Sequence, residues 1–181
     1  MVFANSGDAS MGYDLPAAIG AAVARGGKRV ICLAGDGSLQ LNIQELQTIV
    51  HNGLPVKLFV LNNEGYVSIR LSQRNMFKRL TGEGRESGVS VPDIVKVAEA
   101  YGIPALRIDY KNMNDGIQQA LEQLGPTVCD VLLDPEQPFE PRVSARQLPN
   151  GKMISSSLED MSPFLDDREF AENMLVPFDR Q

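Results

Sequence analysis

The chain has no tryptophan, one histidine, two cysteines and an aromatic share of 6% across 181 residues. Cys32 and Cys129 each fall inside an apolar, strand-like run with no CxxC partner. That argues against a zinc site or a disulfide, makes both small buried hydrophobes, and fits a reducing, cytoplasmic setting. His51 falls at the far end of a predicted helix, where a cationic group suits the helix dipole, and reads as structural. Basic residues are in deficit, 17 Lys and Arg against 23 Asp and Glu, for a net charge of −6 and a pI near 4.8. Such a balance argues against nucleic acid as a partner. No apolar run approaches the length of a membrane span. The opening MVFANSGDASMG lacks the basic region and long apolar core of a secretory signal. Internal repeats and low-complexity stretches are also missing.

What is present centres on residues 30–66, VICLAGDGSLQLNIQELQTIVHNGLPVKLFVLNNEGY. An apolar run rich in β-formers ends in Gly35-Asp36-Gly37, and a second, from Val56, ends in Asn62-Asn63-Glu64-Gly65. Runs of this kind suit buried parallel strands, and open α/β sheets bind ligands at the carboxyl edge of such strands. If the two strands are neighbours, Asp36 and Asn63 meet above one edge. Magnesium takes hard oxygen ligands at about 2.1 Å and keeps phosphate partners close. A carboxylate, an amide oxygen and a backbone carbonyl beside a glycine turn fit that need. The plainer reading is an Asp capping a helix and an Asn pair in a turn.

The surrounding pattern alternates strands and helices. Asp14-Leu15-Pro16 starts a small, apolar helix that ends at Gly26-Gly27. Residues 42–52 carry Ile43, Leu46, Ile49 and Val50 as an amphipathic stripe. Val91-Pro92-Asp93 starts another helix, residues 104–108 read as a strand, 112–124 as a helix and 127–133 as the last strand. This predicts a doubly wound α/β fold, a mainly parallel sheet with helices on both faces. Between them, residues 67–90 read as a long mobile loop with a basic run at Arg70, Arg74, Lys78, Arg79 and Arg85, either a solvated loop or an active-site lid. A domain over residues 1–134 is followed by a Pro- and Ser-rich tail, 135–181, expected to pack on the domain or a neighbouring subunit.

GDG, an interval of 27 residues from Asp36 to Asn63, then NN, resembles the diphosphate-magnesium motif of thiamine-diphosphate enzymes of the acetolactate synthase and pyruvate decarboxylase group. The resemblance covers residues 5–135 and implies the thiamine-diphosphate-binding fold. It implies Mg2+ at Asp36, Asn63 and Gly65, and cofactor contacts from Gly35, Gly37, Ser38, Tyr66 and Val67. Ala9-Ser10-Met11 resembles the segment under the cofactor: Met11 would wedge thiamine into its bent conformer and the Ala9 carbonyl would accept from the pyrimidine amino group. The alternative for Met11 is a core gap-filler. The implied substrate is a 2-keto acid such as pyruvate. The activating glutamate belongs to a separate pyrimidine-binding domain or subunit, so no catalytic residue is assigned here. An excised or split domain, inactive alone and working as a homodimer or larger assembly, is the expectation.

One departure narrows the chemistry. Where decarboxylases of the group carry Glu and acetolactate synthases Gln-Trp, this chain has Ile69-Arg70, and isoleucine cannot relay a proton. A carboligase with an anionic acceptor, a nucleotide-linked keto sugar for instance, becomes an option, with Arg70 and Arg74 as substrate contacts. A Rossmann dinucleotide module is disfavoured because Gly35-Asp36-Gly37-Ser38-Leu39-Gln40 lacks the third glycine. The alternative from another class is a non-catalytic binding or regulatory domain with a metal at Asp36.

Overall fold

A computed structural model describes residues 1–5, 7–147 and 150–177, with the side chains of 146 and 147 excepted. Two compact units are present, residues 1–135 and 136–181. The first is built on a four-stranded parallel sheet of β1 (Val30–Gly35), β2 (Val56–Asn62), β3 (Ala105–Ile108) and β4 (Thr127–Leu132), in the order β1-β2-β4-β3. Helices lie on both faces, so the fold is the α/β arrangement that the alternating pattern predicts.

Side-chain alternation divides the core. Cys32, Ala34, Val56, Leu58, Val60 and Val128 point to one face. They meet Leu15, Ala18 and Ala22 of α1 (Asp14–Ala24), Leu46 and Ile49 of α3 (Leu46–His51), and Ile94 and Ala98 of α5 (Ile94–Ala100). Asp93 caps α5 by accepting from the amides of Val95 and Lys96. The opposite face places Phe59, Cys129 and Ile108 against Ala120 of α6 (Met113–Glu122). Both thiols are buried and free, and burial pushes each pKa up to about 12, aided at Cys32 by the charge of Asp14. They are inert at neutral pH.

Two expectations are corrected. Residues 42–52 do not form one helix. α2 (Asp36–Leu39) is followed by a 3-10 segment, Gln40–Glu45, and then by α3. The break falls at Asn42, whose backbone leaves the helical region while its side-chain amide donates to the Gly12 carbonyl at 2.6 Å. A side-chain bond to a partner 30 residues away accompanies the break in the helical ladder. Residues 67–90 are not an irregular loop either. Val67–Met76 forms helix α4, and a 3-10 turn follows at Arg85–Ser87. The amide of Gln73 on α4 pairs with Thr81, donating to its carbonyl at 2.9 Å and accepting from its N–H at 2.7 Å.

In the second unit, β5 (Ala145–Gln147) pairs antiparallel with β6 (Met153–Ser155), and α7 (Asp167–Asn173) is capped by Asp166. Among the described residues no helix is long and apolar enough to cross a membrane.

Lys57 shows how β2 is tied to its neighbours. Its side chain is buried on the α6 face, and its ammonium donates to the Gln123 carbonyl, the Gly125 carbonyl at 2.9 Å and the Thr127 hydroxyl at 3.0 Å. The bonds hold the α6–β4 connection onto the sheet. Lys57→Ala removes the buried stem and leaves three acceptors without their donor, with an expected cost of about 3 kcal/mol. A lowered denaturant midpoint with an unchanged m-value is the result that checks it.

Candidate functional site

β1 and β2 are parallel neighbours with Gly35 opposite Leu61, so Asp36 and Asn63 leave the sheet at one edge, side by side. Asp36 is 1% exposed. Its carboxylate accepts from the Gly37 amide at 2.7 Å and from the Gly65 amide at 3.0 Å, and the amides of Glu64 and Asn63 also lower its pKa. Burial outweighs these bonds and leaves the pKa raised above the usual carboxylate value. The other buried acids of this unit have cationic partners: Arg70 for Glu83 and Arg107 for Asp130. Among the described residues, Asp36 is held by backbone amides alone.

Asn63 completes the pair. Its side-chain oxygen is buried and has no hydrogen-bond partner among the described residues. Buried polar atoms are rarely left so, and each needs an explanation. An oxygen-seeking cation would supply the missing partner for Asn63 and the missing counter-charge for Asp36. The donor set, one carboxylate, one amide oxygen and backbone carbonyls, fits magnesium. No cluster of three or more His, Cys, Asp or Glu that could hold a metal otherwise occurs among the described residues.

Glycine is required where backbone and ring approach. Gly65 has φ +138°, and a Cβ there would stand 2.1 Å from the Glu83 carbonyl oxygen. A Cβ on Gly37 would stand 2.1 Å from the ring of Tyr66. The ring therefore lies directly on the turn after Asp36. Ser38 does not present its hydroxyl freely, for it donates to Asp14 and accepts from the Gly12 amide at 2.8 Å. These bonds bring the loop before α1, with Ala9, Ser10 and Met11, to the end of β1. Ala9 adopts φ +50°, uncommon for a residue with a Cβ. Met11 is 43% exposed, so it is not a core gap-filler. Gly35 and Val67 are half-buried, at the end of β1 and the start of α4.

The assignment of Arg70 as a substrate contact is corrected. Its side chain is buried, its Nε donates to the Glu83 carboxylate, and its other nitrogens donate to the carbonyls of Pro135 at 2.7 Å and of Asn63 and Glu64 at 3.4 Å. A guanidinium so committed has no fork left for a substrate. Arg74, one turn further along α4, is half-buried and has an interaction of its own. Ile69 is 41% exposed. Sequence reasoning missed Glu83 and Ser87. The only available signal was an acid between Gly82 and Gly84 in an otherwise basic stretch.

Residues 1–131 match the family model described as thiamine pyrophosphate enzyme, C-terminal TPP binding domain. The chain is 38% identical over 151 residues to the acetolactate synthase large subunit of Pyropia yezoensis, covering 83% of this chain and 25% of that protein. It is 36% identical over 145 residues to the chloroplastic acetolactate synthase 2 of Zea mays, covering 77% of this chain and 23% of the relative. Among solved structures it resembles the thiamine diphosphate-dependent 4-hydroxybenzoylformate decarboxylase of Rhodococcus jostii RHA1. That match has a TM-score of 0.61 at 30% identity, over 70% of this chain and 24% of the other. The chain thus spans about a quarter of the length of these proteins.

The contact between Tyr66 and Gly37 yields a test of the site's packing. Gly37→Ala is expected to cost roughly 1–3 kcal/mol by overpacking. Combined with Tyr66→Ala, the two substitutions should cost at least about 1 kcal/mol less than their sum, because the second removes the ring that the new methyl strikes. Thermal or chemical denaturation of the four chains in the cycle measures this coupling.

Proposed function

Because the chain belongs to the C-terminal thiamine-pyrophosphate-binding domains of thiamine-pyrophosphate enzymes, we propose that it binds thiamine diphosphate through Mg2+ at Asp36, Asn63 and Gly65. It would serve as the diphosphate-binding part of an acetolactate-synthase-like decarboxylase or carboligase of 2-keto acids. The observation that carries this reading is the pairing of a buried carboxylate lacking a cationic partner with the buried, unpartnered oxygen of Asn63.

When bound, thiamine diphosphate supplies the carbon nucleophile for attack on a 2-keto acid such as pyruvate. This chain's residues do the holding. Asp36 and Asn63, with the Gly65 carbonyl, would ligate the metal, and the turn Gly35–Gly37 with Ser38 would receive the diphosphate through backbone N–H groups. Tyr66 and Val67 would flank it, and the Ala9 carbonyl, Ser10 and Met11 would meet the pyrimidine end. Ile69 stands where the related enzymes carry Glu or Gln and can neither give nor take a proton there. That favours carboligation over release of a free aldehyde. Arg74 remains the candidate contact for an anionic acceptor. Turnover would require a pyrimidine-binding domain or subunit that brings its glutamate to the cofactor, within a homodimer or larger assembly. Residues 135–181 would pack on the domain or on a neighbouring subunit. The two buried free thiols favour a reducing compartment, and we place the protein in the cytoplasm.

Calorimetry tests the binding. Thiamine diphosphate is expected to bind with Mg2+ and not in EDTA, and binding without metal would overturn the site. At a hundredfold excess over Kd, mass action stabilises by about 2.7 kcal/mol, roughly 5–10 °C in Tm for a chain of this size. Asp36→Asn should lose this increment. Pyruvate turnover by the chain with no partner added would refute its dependence on a second domain.

The pH dependence has a definite sign. The folded pKa of Asp36 is raised, so the folded state binds this proton more tightly than the unfolded one does. Metal-free stability from this group therefore falls as pH rises above 3.8 through the raised value. Mg2+ binds only the carboxylate, so its stabilising increment should grow through the same window and then level off. Melts in EDTA and in Mg2+ from about pH 4 to about pH 7, compared with Asp36→Asn, read both slopes.

A further inference from the structure

The pair Arg70–Glu83 is buried more deeply than its sequence context predicts, each side chain being 6% exposed. A buried ion pair is a poor source of stability, since desolvation offsets much of its attraction and apolar replacements of similar volume are often as stable. Its use must therefore be sought in what it holds. Arg70 donates to Glu83, to the Pro135 carbonyl at 2.7 Å and, in longer contacts of 3.4 Å, to the carbonyls of Asn63 and Glu64, the two residues that lead into Gly65. Glu83 in turn accepts from the Ser87 hydroxyl at 3.2 Å, while that hydroxyl also accepts from the amides of Glu83 and Gly84. The Glu83 carbonyl accepts from the Tyr66 amide at 2.7 Å, and Gly65 and Gly84 form an antiparallel bridge. Gly84 passes so close that a Cβ would stand 3.1 Å from the Arg70 guanidinium. One planar, multidentate donor thus clamps the 63–66 turn from outside while Asp36 holds it from inside.

We propose that Arg70 and Glu83 are positioning residues for the metal site: the pair fixes the Asn63–Gly65 backbone so that the Asn63 side-chain oxygen and the Gly65 carbonyl converge with Asp36. The segment around Glu83 thereby becomes part of the site without touching the metal. The inference rests on the reading of Asp36, Asn63 and Gly65 as metal ligands. It assigns Arg70 a role that neither a fastener of the fold nor a substrate contact would have. Lysine cannot replace it, because a single ammonium cannot span the carboxylate and two carbonyls in a fixed fork.

Mn2+ serves as the metal probe, its free concentration followed by electron paramagnetic resonance, with Mg2+-dependent thiamine diphosphate binding followed by calorimetry. The chain with both Arg70→Met and Glu83→Met is expected to keep its metal-free Tm, since apolar groups fill the same space. It should bind Mn2+ roughly 10- to 100-fold more weakly, the usual loss when the residues behind a metal's ligands are removed. Arg70→Lys should show the same weakening, without rescue. Wild-type affinity in the double variant at an unchanged melting temperature would overturn the proposal and make the pair a fastener only. If the double variant does not fold, Ser87→Ala decides: loosening Glu83 should cost about threefold or more in Mn2+ affinity, and an unchanged affinity overturns the proposal. Failure of the wild-type chain to take up Mn2+ or thiamine diphosphate would instead refute the functional reading beneath it, a different result from failure of the variants.

Discussion

A carboxylate removed from water at the end of β1 sets the terms for everything around it. Asp36 receives hydrogen bonds from both sides of the site, from Gly37 next to it in α2 and from Gly65 beyond β2. Those bonds do not fully offset desolvation, which is why its pKa stays raised. A fold that needed only a turn there could have used a neutral residue at less expense. A buried carboxylate with no cationic side chain beside it is costly, and the proposed cation would offset that cost. The site therefore stores an electrostatic deficit, and the neighbouring oxygen of Asn63, unpartnered among the described residues, would share the proposed cation.

Close backbone approach is the second constraint, and it follows from the first. To bring the Gly65 amide to Asp36, the chain must turn at φ +138° with the Glu83 carbonyl pressed against its Cα. To seat Tyr66 over the turn after β1, Gly37 must present a bare Cα. Ser38 then ties that turn to the loop before α1, so three chain segments distant in sequence share one rigid locus. Rigidity of this kind suits a site that must hold oxygens to within a fraction of an ångström.

This explains which parts of the molecule could be read in advance. The four strands, α1, α5 and α6 were legible because local pattern and burial agree: apolar runs at strand length, apolar stripes at helical spacing, and recognisable starts at Asp14 and Asp93. Asp36 and Asn63 were legible because strand ends project chemistry to one sheet edge. α4 was not. Its inward-facing position is Arg70, a residue that pattern reading assigns to solvent, and its burial depends on a carboxylate 13 residues away. The interrupted helix after β1 was missed for a similar reason. Asn42 fits a helical stripe locally, and only the Gly12 carbonyl, 30 residues earlier, draws it out of that path. In both cases a polar side chain obeyed a distant partner over its local propensity.

The same contrast separates the buried charges by purpose. Lys57 bonds the Gln123 and Gly125 carbonyls after α6 and the Thr127 hydroxyl, and Asp130, within β4, gathers Asn62 and Arg107; each bonds groups that the fold itself leaves in need of a partner. Arg70 is different, because besides the Pro135 carbonyl it reaches the Asn63 and Glu64 carbonyls of the turn that follows β2. A clamp on that turn is worth its desolvation cost when the turn carries ligands whose spacing matters. Asp36 and the Arg70–Glu83 pair thus form one device. In the proposed site the inner charge would attract the metal, and the outer pair would keep the turn in the shape that its ligands need.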